Sequence, residues 1–166
     1  ILAGMMGVGK STVGKILAKK LKLKFVDIDR KIEKKEKAKI KDIFDNKGEG
    51  YFRTIEKIVT LQELKKKDLL ISLGGGAFVN KLIRKEVKKS SISFWLDLDI
   101  NTLLARLKNT SKRPLLDHNN LEQTINKIYS ERKKIYNEST YRIKCNSMSL
   151  DKITNQILKL YENAGN

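Results

Sequence analysis

The chain has 166 residues, 40% of them hydrophobic, and its 36 Lys and Arg against 19 Asp and Glu give a formal net charge of +17. That length fits one compact domain spanning residues 1–166; no apolar run nears the roughly 20 residues a bilayer requires, no signal peptide is evident, and a single cysteine excludes an intrachain disulfide or a cysteine-based zinc cluster. The lysines are spread along the whole chain without interleaved aromatic residues, which argues against a nucleic-acid surface, so a cytoplasmic protein without nucleic-acid or membrane partners is expected, its positive field serving at most to steer an anionic substrate.

Ile1-Leu2-Ala3 reads as the end of a first strand, so short that a few residues are expected to precede it. Val13, Ile16, Leu17 and Leu21 at helical spacing predict a helix over 10–22, and 24–28 a short strand ending at carboxylates. A broken apolar stripe over 32–47 predicts helical segments stopped by Gly48. A longer helix over 51–67 places Phe52, Ile55, Ile58, Val59 and Leu64 on one side. Residues 69–73 form a buried-type strand that runs into Gly74, Gly75 and Gly76. A helix over 81–88, a strand over 92–98 with Phe94 and Trp95 in the core, and a helix over 100–107 follow. Residues 109–120 are polar, contain the only proline, Pro114, and read as a loop. A helix over 121–138, a strand over 141–145 ending in a buried Cys145, and a helix over 150–161 complete the chain. Five strands alternating with helices predict an α/β fold, a parallel sheet covered on both faces, with ligands at the carboxyl ends of the strands.

Gly4-Met5-Met6-Gly7-Val8-Gly9-Lys10-Ser11 matches G-x-x-x-x-G-K-[ST], after an apolar strand and at the start of a helix. In that setting the backbone from Gly7 through Val8, Gly9 and on to Thr12 wraps the phosphates of ATP. Lys10 reaches the β and γ phosphates and the Ser11 hydroxyl meets Mg²⁺. Asp27 and Asp29 flank Ile28; in an extended chain both point to one face. One can support Mg²⁺ through its water shell while the other orients or deprotonates an attacking hydroxyl. Arg53 and Glu56, three apart on a helix, read from spacing alone as a surface ion pair of little worth. The sharper alternative is a guanidinium held rigid for a substrate carboxylate. Three consecutive glycines give up backbone entropy, so a ligand or another chain segment is expected to approach them closely. Lys112-Arg113-Pro114-Leu115-Leu116 reads as a closing lid whose Arg113 swings onto the phosphates, with His118 solvated nearby. In so lysine-rich a chain, Arg53, Arg106, Arg113 and Arg132 stand out, because only arginine offers a flat bidentate fork.

Taken in this order, the segments resemble the shikimate kinase family. The resemblance rests on the P-loop, Asp27 and Asp29, G-E-x-x-F-R-x-x-E over 48–56, the triple glycine, R-P-L-L over 113–116, and Glu131-Arg132 with Tyr136 beyond. It covers nearly the whole chain. It implies a three-layer P-loop kinase fold with strand order 2-3-1-4-5, a substrate-binding region over about 29–58, a lid over about 109–120, and a monomer. It implies that Asp29, Arg53, Gly74, Gly75, Gly76 and Arg132 hold shikimate, with Asp29 as base for the 3-hydroxyl. It also implies that Lys10 and Arg113 act on the transferring phosphate, Arg106 lies on the adenine side, and Ser11 ligates Mg²⁺ with Asp27 behind a water. The products would be ADP and shikimate 3-phosphate, on the route to chorismate and the aromatic amino acids. The loop Asn146-Ser147-Met148-Ser149 departs from the family, which often has an arginine there. The rivals are a gluconate or nucleoside monophosphate kinase of the same P-loop type, and a non-catalytic nucleotide-binding module.

Overall fold

The computed structural model describes residues 1–108 and 120–164. The expected lid, with Arg113, Pro114 and His118, therefore lies outside the described residues, apart from Asn120.

Five parallel strands, β1 (Leu2–Ala3), β2 (Lys24–Asp27), β3 (Leu69–Ser72), β4 (Phe94–Asp97) and β5 (Tyr141–Lys144), form one sheet in the order 2-3-1-4-5. The helices α1 (Lys10–Lys20), α2 (Ile28–Glu36), α3 (Ile40–Leu64), α4 (Lys81–Ser90), α5 (Ile100–Leu107), α6 (Leu121–Tyr136) and α7 (Leu150–Ala164) connect them. Burial follows position in the sheet. Both residues of β1 and all four of β4 are buried, whereas the edge strands β2 and β5 bury one residue each. This is the pattern of a parallel sheet covered by helices on both faces. Trp95 and Phe94 are in the core as expected, and Cys145 is buried, its thiol pushed up to about 11 mainly by burial, which makes it an inert core residue.

Register decides what meets at the carboxyl edge. Leu2 lies opposite both Ser72 and Phe94, and Asp27 opposite Ser72. The ends of β2, β3 and β1 therefore emerge level, and Asp27, the glycine run after Ser72 and the loop from Gly4 start within one crevice. Because the chain leaves β1 with β3 on one side and β4 on the other, this crevice is the switch point where such sheets bind ligands.

Three local features differ from the sequence-based expectation. β2 stops at Asp27, whose carboxylate accepts from the Arg30 amide at 3.2 Å and so starts α2 four residues earlier than the apolar stripe predicts. The helices placed over 32–47 and 51–67 are instead α2 and one long α3, which bends at Gly48, where φ is 77° and ψ 168°. Of the apolar side expected on α3, Ile58 is exposed, while Phe52, Ile55, Val59 and Leu64 are buried. A short 3₁₀ turn, Ala77–Val79, follows the glycine run. Among the described residues no helix is long and apolar enough to cross a membrane.

The junction of β1 with the following loop leaves no room for a side chain. Gly4 has φ 132°, and a Cβ there would sit 2.5 Å from the Leu96 carbonyl oxygen of β4. Gly4→Ala is therefore expected to cost on the order of 2 kcal/mol, a fall in Tm of roughly 4–8 °C for a domain of this size, measurable by thermal melting.

Candidate active site

The loop from Gly4 to Ser11 carries β1 into α1, with Gly9 capping the helix in the left-handed region. It presents backbone amides at a helix N-terminus, a ready anion site. Lys10 is almost fully buried, and its Nζ donates to the Gly4 and Met5 carbonyls, each at 2.9 Å, which fixes the ammonium across the loop. Arg106 reaches over from α5, its Nη1 3.2 Å from the Val8 carbonyl and 3.4 Å from that of Gly7. It thus lies against the phosphate loop. The departing loop after β5 is held locally: Asn146 Oδ1 accepts from the Asp99 amide at 2.9 Å.

A cavity of about 200 Å³ opens beside the loop, lined by Lys10, Ser11, Thr12, Asp27, Asp29 and Ser72. The Ser11 hydroxyl donates to Asp27 Oδ2, while Asp27 Oδ1 caps α2. Asp27 and Asp29 do reach one cavity, but not as two residues of an extended strand. Asp27 is the helix cap and Asp29 stands in the first turn of α2. The cap is the local preference that overrides the strand. Ser72, not anticipated from sequence, enters only through the β2–β3 register.

Across the glycine run lies a second set of polar groups. Arg53 Nη1 is 2.7 Å from Glu56 Oε2, and Glu49 Oε1 takes its Nε and Nη2 at 3.1 and 3.0 Å. The expectation of a plain surface pair fails here, because Glu56 is only 3% exposed. Burial pushes the Glu56 carboxyl up, with Arg53 pulling it back and Asp29 adding to the rise. Glu49, four residues before Arg53, completes a three-bond grip that fixes the plane of the guanidinium; its i, i+4 spacing was the available signal.

The glycines are explained by what surrounds them. A Cβ on Gly74 would lie 2.6 Å from both Asp29 Oδ1 and Glu56 Oε1. On Gly75 it would lie 3.2 Å from the Met6 amide of the phosphate loop, and on Gly76 2.5 Å from Arg53 Nη1. None of the three has positive φ, so close approach, not turn geometry, demands them. Arg132, from α6, donates through Nη1 to the Gly75 carbonyl at 2.9 Å. The structure thus brings Asp29, Arg53, Glu56, Arg132 and the three glycines together, one residue away from the phosphate loop.

Comparison with known proteins identifies the family. A family model described as shikimate kinase matches residues 6–162. The chain is 45% identical over 157 residues to a shikimate kinase of Persephonella marina, covering 95% of this chain and 94% of that one. It is 46% identical over 160 residues to one from a Sulfurihydrogenibium species, with 95% and 93% covered. The chain belongs to the shikimate kinase family. Its fold matches the structure of shikimate kinase from Acinetobacter baumannii in complex with shikimate, with a TM-score of 0.94 at 34% identity, covering 98% of this chain and 92% of that one.

The donor set at the cavity suits a hard divalent cation such as Mg²⁺. Ser11 and Asp27 offer hard oxygens already turned towards each other. Among the described residues no group of three or more His, Cys, Asp or Glu forms a protein-only cage.

The two carboxylates at Gly74 give a direct test of the geometry. Gly74→Ala is expected to force Asp29 and Glu56 apart and lower turnover on the order of 100-fold while leaving affinity for an ATP analogue unchanged, as read by kinetics and calorimetry.

Proposed function

We propose that this chain transfers the γ-phosphoryl group of ATP to the 3-hydroxyl of shikimate, giving ADP and shikimate 3-phosphate. The observation that carries the reading is the single-residue separation of two half-sites. Gly75 abuts the phosphate loop, while Gly74 and Gly76 abut a carboxylate pair and a fixed guanidinium. An anionic, polyhydroxylated acceptor needs cations at one end and a carboxylate at the other, and this crevice supplies both beside a phosphate grip.

In the proposed mechanism Arg53 and Arg132 take the acceptor carboxylate by charge-assisted hydrogen bonds. Asp29 accepts the proton of the 3-hydroxyl as that oxygen bonds to the γ phosphorus, and the bond to the bridging oxygen breaks to release ADP. Lys10 follows the charge onto the leaving phosphate. Ser11, and Asp27 through water, would hold Mg²⁺, which when bound neutralises charge on the phosphates. Arg113, from the lid segment, is assigned to the same phosphates, and Arg106 to the nucleotide side of the loop it already contacts.

Turnover of ATP with shikimate, gluconate and AMP offered separately tests the substrate; activity confined to the latter two would overturn it. Asp29→Asn should keep ATP binding and lose about 100-fold or more in kcat, whereas near-normal turnover removes Asp29 as base. Arg53→Lys replaces a fork with a point charge and should raise KM for shikimate about tenfold, with KM for ATP unchanged.

A further inference from the structure

Tyr136 is the last residue of α6 and is completely buried. Its ring stacks on Trp95 of β4, centroids 6.0 Å apart, and its hydroxyl lies 4.0 Å from Met5 Sδ in the phosphate loop. Packing alone would be served as well by phenylalanine, and a buried hydroxyl is costly unless it is paired. Here it donates to the Gly75 carbonyl, the same oxygen that Arg132 Nη1 reaches. Arg132 and Tyr136 are four residues apart, on one face of α6, so a single helix face supplies both donors and both lone pairs of that carbonyl are used.

A peptide between two glycines has no side chains to orient it. We propose that Tyr136 is a positioning residue for the acceptor half-site, its hydroxyl setting the plane of the Gly75–Gly76 peptide and, through the shared carbonyl, the orientation of the Arg132 guanidinium. The peptide is trans, so pinning the carbonyl aims the Gly76 amide to the opposite side. With the amide so held, Arg53 keeps its close seat against Gly76. Without the hydroxyl, Arg132 alone restrains the carbonyl, with a guanidinium that must also serve the substrate. Burial, ahead of the opposing influence of Arg132, pushes the phenol above its ordinary value, so it remains a donor throughout the neutral range.

This inference rests on the acceptor reading of the crevice, and the experiment separates the two. Tyr136→Phe keeps the ring and removes one oxygen. The expected result is a KM for shikimate raised about five- to tenfold, with KM for ATP and Tm unchanged. Tyr136→Leu, which also removes the ring, is the control for lost packing and should lower Tm. An unchanged shikimate KM in Tyr136→Phe overturns the proposal, and so does a rise of both KM values together with a lowered Tm, which marks a purely structural residue. Arg53→Lys is measured alongside. If it raises the shikimate KM and Tyr136→Phe does not, the acceptor reading stands and the positioning role is lost. If neither variant moves that KM, the acceptor reading fails and this inference falls with it.

Discussion

Steric exclusion at the segment leaving β3 underlies the whole crevice. Two carboxylates and a guanidinium stand where a Cβ on Gly74 or Gly76 would clash with them, and the amide of Met6 presses tightly on Gly75. The sheet register brings β3 out between β2 and β1, and the glycines let groups from α2, α3 and the phosphate loop converge there. In the proposed reading, a side chain at Gly74 or Gly76 would push these groups away and widen the spacing between acceptor and phosphate. For a transfer that depends on reacting atoms about 3–3.5 Å apart, that spacing is the main contribution of the fold.

The electrostatics divide by residue type. The lysines that make up most of the +17 charge are largely on outward faces, and supply a diffuse field that raises the local concentration of anionic substrates. The arginines of the crevice are held by specific acceptors: Arg53 by Glu49 and Glu56, Arg132 by the Gly75 carbonyl, Arg106 by the carbonyls of Gly7 and Val8. A rigid fork loses less entropy on meeting a ligand than a mobile chain does. Glu49 and Glu56 are therefore best regarded as the parts that hold Arg53 still.

Much of this was legible in the residues. The alternation of strands and helices announced the sheet, and the phosphate loop, Asp29, Arg53 and Arg132 were all identifiable from their motifs. What spacing did not reveal was burial and register. Arg53 and Glu56 looked like a surface pair because i, i+3 spacing says nothing about which face is inward. Only the packing of α3 against the glycine run buries Glu56. Asp27 and Asp29 looked extended because the capping preference of Asp27 competes with the strand pattern and wins. Ser72 carries no motif and joins the cavity through strand pairing. The bend at Gly48 was visible as a stop, but not as a point at which α3 resumes.

Trp95 is the only tryptophan in the chain. Its ring lies under the phosphate loop, 3.4 Å from where a Cβ on Gly4 would be, stacks on Tyr136, and has the Arg142 guanidinium 4.6 Å from its centroid. Its indole N–H has no hydrogen-bond partner among the described residues. Tryptophan emission, excited selectively past the five tyrosines, therefore originates at one point, beside the start of the phosphate loop. The molecule carries its own optical reporter there.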